Sequence, residues 1–307
     1  MPSGPGDGRD REAGADAALP AAAADALRSL GFEVAAARLV SPLGRAKGRR
    51  CAWRVEDSRG RVAKARLFED ADVAARVCVL RTGLDHAFAG VLGRDGPVVL
   101  EEWVEGRPVA AFETDATLAW AAALLAGLHA RPLPPDAEKT VDVATWLDGA
   151  RTDVARLATA GVLPGAEADR AARILGSIAP SRARTAIAHL DLAPDNLVVH
   201  RAAGPRVIDN EMFAVRPPGF DLARSFHLWP MDEGAWERFL RVYRASGGTD
   251  VEGLDFWRLV ALALGTRIFF DRSPGRRDDA AARLVALLDR IEAAEPRAHG
   301  TRAPGER

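Results

Sequence analysis

The side chains best placed to do chemistry lie between Ala188 and Glu211, in AHLDLAPDNLVVHRAAGPRVIDNE. His189, Asp191 and Asn196 come first. Two short apolar runs follow, Leu197–His200 and Arg206–Ile208, split by a turn at Ala202–Pro205, and then Asp209 and Glu211. Phosphoryl transfer calls for these residue types: one carboxylate to orient an acceptor hydroxyl, and an amide with a second carboxylate to hold Mg²⁺. Magnesium takes hard oxygen donors and keeps part of its shell for phosphate oxygens, which Asn and Asp permit. A hairpin between Asn196 and Asp209 would bring the two together, although they are 13 positions apart. The same residues have plainer uses. Asp191 and Asp195 flank Pro194, and Asp and Pro favour turns. His189 suits bracing a loop better than carrying a proton, and Glu211 is either a further carboxylate near a metal or a surface charge.

A second signal is a lysine. Basic charge is almost all arginine, with Lys47, Lys64 and Lys139 the only lysines, so Lys64 inside the apolar strand VAKARLF stands out. Between the first two strand-like runs lies SPLGRAKGRR, residues Ser41–Arg50. Its Gly44 and Gly48 could let the backbone approach phosphate closely, with Arg45 and Lys47 adding charge. The segment lacks a full GxGxxG, and a surface loop fits it equally well.

The elements that must position these residues fall into two groups. Pro20–Leu30 reads as a short helix stopped by Gly31. Phe32–Val40, Cys51–Val55, Val62–Phe68, Gly90–Gly93 and Pro97–Val104 read as strands, with a hairpin turn at Ser58-Arg59-Gly60 and one helix, Ala71–Leu84, among them. After Gly106 the pattern turns helical: Thr114–Ala130, capped by Thr114, then Val141–Thr159 and Ala166–Ile178. Helices near Leu222–Leu228, Glu233–Ala245, Leu254–Phe270 and Asp278–Ala294 follow the hairpin. The expected architecture is α+β and bilobal: a small antiparallel β lobe over 20–105 and a larger helical lobe over 106–295, with a cleft between them as the natural ligand site. Residues 1–19 and 296–307 have the composition of disordered segments.

At this point the segment resembles the catalytic loop and metal-binding strand of the protein-kinase-like superfamily, closest to its aminoglycoside phosphotransferase and choline kinase branch. His-x-Asp-x-x-x-x-Asn is met by His189, Asp191 and Asn196, the metal-binding Asp by Asp209 in VIDNE, and a downstream Asp-Leu-Ala by Asp221-Leu222-Ala223. The resemblance implies a nucleotide-binding first lobe in which Lys64 contacts the α- and β-phosphates and Gly44 and Gly48 cover them. It makes Glu101-Glu102-Trp103-Val104 the hinge, where backbone atoms near Glu102 and Val104 read the base. It makes Asp191 the catalytic residue, Asn196 and Asp209 the Mg²⁺ ligands, and His189 and Asp221 structural supports of the loop, with Glu211 a possible addition. One departure stands out: ADVAARVCVLRTGL contains no Glu to pair with Lys64, leaving Glu69, Asp70 or Asp72 at its start.

Two features argue against a protein kinase. Ala193 stands where serine/threonine kinases usually carry a lysine, and only 11 residues lie between Asp209 and Asp221, too few for an activation loop. The expectation is therefore a phosphotransferase moving the γ-phosphate of ATP or GTP, with Mg²⁺, to the hydroxyl of a small molecule of aminoglycoside, amino-alcohol or sugar type. The alternative is a non-catalytic nucleotide-binding regulator with a degenerate kinase-like fold. Glu233, Trp236, Phe269, Phe270, Asp271 and Arg272 are candidate acceptor-wall residues, although helix surfaces carry such charges routinely and Trp229, Trp236, Phe239 and Trp257 suit a core.

The composition excludes other classes. In 307 residues, 42 Lys+Arg balance 43 Asp+Glu, giving a net charge of −1 and no global electrostatic case for a nucleic-acid partner. Two cysteines, Cys51 and Cys78, are too few for a disulfide framework or a cysteine-rich zinc site. No apolar run approaches the roughly 18 residues of a membrane span, and the acidic, Gly-rich start is unlike a signal peptide. A cytoplasmic setting with no membrane partner is expected.

Overall fold

Apolar alternation sets up the first part of the chain. The computed structural model describes residues 18–41, 51–109, 115–200, 204–229, 231–272 and 274–299. The Gly44/Gly48 loop, the expected Thr114 cap, and the terminal segments 1–17 and 300–307 lie outside the described residues. The chain divides into two units between Glu105 and Gly106.

The first unit runs α1 (Ala21–Ser29), β1 (Val34–Ser41), β2 (Cys51–Asp57), β3 (Val62–Leu67), α2 (Ala71–Arg81), β4 (Val91–Asp95) and β5 (Val98–Glu102). The strands form one antiparallel sheet in the order β1-β2-β3-β5-β4. The β2–β3 turn forms where Ser58-Arg59-Gly60 predicts it. Asp57 Oδ1 accepts from the backbone N–H of Arg59 (2.9 Å) and Arg61 (2.8 Å), and Gly60 takes φ +76°. Side chains alternate across a strand. Trp53, Val55, Ala63, Ala65, Val98 and Leu100 pack with Leu27 of α1 and Phe32 on one face. Lys64 and Arg66, alternating with those alanines, belong to the other, where Arg81 of α2 meets Glu101 of β5.

The second unit runs β6 (Arg107–Pro108), α3 (Asp115–His129), β7 (Thr140–Asp142), α4 (Ala144–Thr159), α5 (Gly165–Ile178), β8 (Arg182–Arg184), β9 (Ala186–Ala188), a 3₁₀ turn (Pro194–Asn196), β10 (Leu197–His200), β11 (Gly204–Val207), β12 (Ala214–Arg216), α6 (Pro218–Leu228), α7 (Glu233–Ala245), α8 (Leu254–Arg272) and α9 (Pro274–His299). Helix α8, buried from Phe256 to Ala263, forms the centre of the helical core. Gly265 lets it approach α6 closely, since a Cβ there would sit 2.0 Å from His227 Nε2. Three small antiparallel sheets, β11-β10-β6, β12-β9 and β7-β8, complete the unit. The fold is thus α+β, as expected. The pairings of β6, β7, β8, β9 and β12 were not foreseen, because two- and three-residue strands carry no readable alternation. Helix α9 also starts earlier than Asp278 and runs past Pro296 to His299, into the stretch expected to be unstructured.

Candidate active site

The β10–β11 hairpin performs the juxtaposition that the sequence suggests. Leu197 pairs with Val207, and the ladder continues where Ile208 N–H donates to the Asn196 carbonyl at 2.8 Å. Asn196 and Asp209 therefore leave the same end of the hairpin. Among the described residues Asp209 is one of two non-glycine residues with positive φ (+59°); the other is Leu190 (+67°), next to Asp191. Such backbone costs about 1–3 kcal/mol and persists only where surrounding bonds fix it.

Around Leu190 those bonds come from Asp221, at the start of α6. Its fully buried carboxylate accepts from Leu190 N–H (2.7 Å), His189 N–H (2.8 Å) and His129 Nε2 (3.0 Å). Burial alone would raise its pKa. The His129 hydrogen bond and the His129 and His189 rings outweigh that and hold it below the usual carboxylate range. His129 is fixed in turn by Tyr243, whose hydroxyl lies 2.9 Å from Nδ1. His189 is fully buried: Nδ1 accepts from Asp191 N–H (3.2 Å), so Nε2 carries the proton donated to Asn210 Oδ1 (3.1 Å). Both ring nitrogens are engaged, one within the loop and one across to the residue after Asp209. Trp229 Nε1 donates to the Leu192 carbonyl at 2.7 Å and anchors the next turn.

This clamp presents the Asp191 carboxylate. Oδ2 accepts from Asn196 Nδ2 at 2.9 Å, and Oδ1 lies 3.5 Å from Arg224 Nη2, whose Nε donates to the Leu190 carbonyl at 3.2 Å. Burial pushes the Arg224 guanidinium down from its usual value, against the pull of Asp191 and Asp221. Asn196 also spends Nδ2 on the Asp191 carbonyl (2.8 Å), so Oδ1 is the atom it could offer a cation. With the Asp209 carboxylate that makes a pair of hard oxygen donors at one hairpin end, which fits Mg²⁺, an ion held by one or two protein ligands plus phosphate oxygens. Among the described residues no three His, Cys, Asp or Glu side chains form a metal-holding group. Glu211 is buried at the turn that follows β11.

In the first unit Lys64 is buried (7 % exposed) and faces Glu101 across the β3–β5 register. Asp70, one of the partners expected for it, caps α2 by accepting from Val73 N–H at 2.7 Å. Glu101 takes the neighbouring cations instead. It bonds Arg81 Nη1 and lies 3.7 Å from Arg66 Nε, and burial, which would raise its pKa, is outweighed by Arg81, Arg66 and Lys64. At the end of β5, Glu102 N–H donates to the Gly90 carbonyl (2.8 Å) and its carboxylate accepts from Gly90 N–H (3.1 Å). Val104 follows where the chain has left the sheet.

Beside the acceptor-wall candidates, Asp232 caps α7 through Ala235 N–H (2.7 Å). Of the candidates themselves, Glu233 pairs with Arg258 and with Arg290 (3.8 Å), and Asp271 lies 3.6 Å from Arg267. Trp236 is buried and stacked on Phe239. The side chains of Phe269 and Arg272 lie outside the described residues. Sequence reasoning missed Asn210, Arg224, Trp229 and Glu101 as partners of the site. Asn210 and Arg224 adjoin the VIDNE and Asp-Leu-Ala motifs, and Glu101 is an acid directly after the apolar Val98-Val99-Leu100.

An antiparallel sheet unit with a buried strand lysine, followed by a helical unit with its acid on a clamped loop before a short hairpin, has the organisation of the kinase-like phosphotransferases. Residues 21–260 match the model of the phosphotransferase enzyme family (APH), and the chain belongs to that family. A comparison with curated protein sequences returns no match. Among solved structures the chain is similar to the choline kinase LicA from Streptococcus pneumoniae, at 13 % identity over 86 % of this chain and 96 % of that one, TM-score 0.61. LicA has also been solved in complex with AMP. Similar too are the macrolide 2'-phosphotransferase MphH from Brachybacterium faecium (20 % identity, 93 % and 98 % covered, TM-score 0.55) and a putative fructosamine-3-kinase from Thermobifida fusca (18 %, 90 % and 100 %, 0.57). At these identities the likeness is one of fold. No helix among the described residues is long and apolar enough to cross a membrane.

Proposed function

We propose that the protein is a small-molecule kinase that transfers the γ-phosphoryl group of ATP or GTP to a hydroxyl. The observation that carries this reading is the Asp191 carboxylate, with Asn196 Nδ2 on one oxygen and Arg224 by the other, on a loop clamped by Asp221. A scaffold protein has no use for an acid held this way. Membership of the phosphotransferase family supports the reaction class, and the activities named for the similar proteins, on choline, macrolide and fructosamine, support a small acceptor.

In the proposed reaction the acceptor oxygen attacks the γ-phosphorus as the bond from phosphorus to the β,γ-bridging oxygen breaks. The hydroxyl proton passes to Asp191, and the nucleoside diphosphate leaves with the bonding pair. Asp191 would orient the hydroxyl, and Arg224 would keep the carboxylate directed. Asn196 and Asp209 would hold Mg²⁺, which when bound supplies charge neutralisation at the β- and γ-phosphates. In the first unit Lys64 would hold the α- and β-phosphates, with the backbone at Glu102 and Val104 reading the base and Gly44 and Gly48 covering the phosphates. Catalysis would then rest on positioning and electrostatics.

Thermal unfolding with ATP, GTP or neither, with and without Mg²⁺, tests the reading. Nucleotide at about 100 times its dissociation constant adds roughly 2.7 kcal/mol of apparent stability. A shift that needs both nucleotide and Mg²⁺, followed by nucleoside diphosphate release with an aminoglycoside, amino-alcohol or sugar, is the expected result. No shift at millimolar nucleotide would refute it.

A further inference from the structure

We infer that Glu101 on β5 is the positioning residue for Lys64, and that helix α2 joins the pair by contributing a cation, Arg81, rather than an acid. The inference rests on the phosphate-binding reading of Lys64 given above. Protein kinases hold the corresponding lysine with a Glu from the helix. Here α2, ADVAARVCVLR, has no Glu, and its last residue is Arg81.

Three observations support the exchange. Lys64 and Glu101 are register partners in adjacent antiparallel strands, where opposed Cβ atoms lie roughly 4.5–5.5 Å apart. Glu101 is 1 % exposed in a strand whose other residues up to it, Val98, Val99 and Leu100, are buried and apolar, and a buried acid persists only when paired. Its oxygens are divided: Oε1 bonds Arg81, Oε2 lies near Arg66, and the Lys64 charge helps hold it ionised. Arg81 also donates to the Ala89 carbonyl just before β4, which fixes the end of α2 to the sheet. A lysine ammonium on four rotatable bonds is a loose point charge. A carboxylate on the next strand of the same sheet restrains it by register, without requiring the helix to bring in an acid.

Calorimetry with MgATP and with adenosine gives the test. The wild type should prefer MgATP, and Lys64→Ala should remove most of that preference. If either fails, the phosphate reading of Lys64 falls and this inference with it. Where both hold, Glu101→Gln should cut the ATP-over-adenosine preference roughly 10–100-fold while adenosine affinity stays within about twofold, as expected for a displaced charge rather than a damaged fold. An unchanged preference, or equal loss of both ligands, overturns the role of Glu101 and leaves that of Lys64 standing. Should Glu101→Gln not fold, Glu101→Gln with Arg81→Met removes one charge of each sign and keeps the net charge of the cluster. The same loss of preference is expected there, and its retention overturns the inference.

Discussion

Asp221 holds the loop that carries Asp191 by several buried bonds at once, and the cost of removing it follows from them. The fully buried carboxylate takes two backbone N–H groups, from His189 and Leu190, and His129 Nε2. Asp221→Ala orphans three buried donors, the two backbone N–H groups and His129 Nε2, and each buried unsatisfied group costs about 1–3 kcal/mol. The sum is about 3–9 kcal/mol, reduced where Leu190 relaxes out of its positive φ, so a loss near about 5 kcal/mol is expected, set against a total stability of about 5–15 kcal/mol. Asp221→Asn keeps one acceptor oxygen but turns an NH₂ toward a donor, for about half that loss. Urea unfolding followed by tryptophan emission gives the values, with far-UV circular dichroism as a second probe to reveal units that unfold separately. The pH dependence has a definite sign. The folded pKa of Asp221 lies below the ordinary value, so its contribution is complete above about pH 4 and drains away as pH falls through the folded value. Asn cannot titrate, so the gap between wild type and Asp221→Asn should be flat near neutrality and narrow below about pH 4. An Asp221→Ala loss under about 1 kcal/mol, or a gap that does not narrow in acid, would refute the account of the clamp.

Four further outcomes are expected. Asp191→Ala should lower transfer roughly 10²–10⁴-fold while leaving nucleotide affinity nearly unchanged in calorimetry. Asp209→Ala should abolish the Mg²⁺ dependence of the nucleotide-induced thermal shift; an unaltered metal response would remove it from the ligand set. Arg224→Ala should destabilise by about 1.5–3 kcal/mol and lower kcat, with Arg224→Lys restoring the charge near Asp191 but not the Nε bond to Leu190. Trp229→Phe removes one bond to the Leu192 carbonyl and should cost about 1 kcal/mol by urea unfolding.

Much of the fold was legible because its elements announce themselves locally. Helix α7 forms over the expected Glu233–Ala245, and the β2–β3 hairpin turns where Ser58-Arg59-Gly60 places it. The small pairings were not legible, since β9 and β12, or β7 and β8, are three-residue strands joined from distant parts of the chain. Their partners are chosen by the helices that bring them together, and no pattern within three residues encodes that choice.

The site divides along the same line. Asp191, Asn196 and Asp209 could be read together because one loop and one hairpin hold them, so spacing stands in for geometry. Of the residues that hold this constellation in place, His189 and Asp221 were readable from their motifs, but Arg224 and His129 were not, because each reaches its partner from a separate helix. Arg224 reaches Asp191 from α6, and His129 reaches Asp221 from α3. Kinase-like sequences usually carry a carboxylate for this lysine on the helix, yet here the buried acid lies on the strand next to that of Lys64 and the helix supplies Arg81. Coulomb attraction between two buried groups depends on their separation and not on which element bears which sign. A fold can therefore exchange the carrier of each charge while keeping the lysine restrained, and sequence motifs tied to one carrier will pass over the exchange.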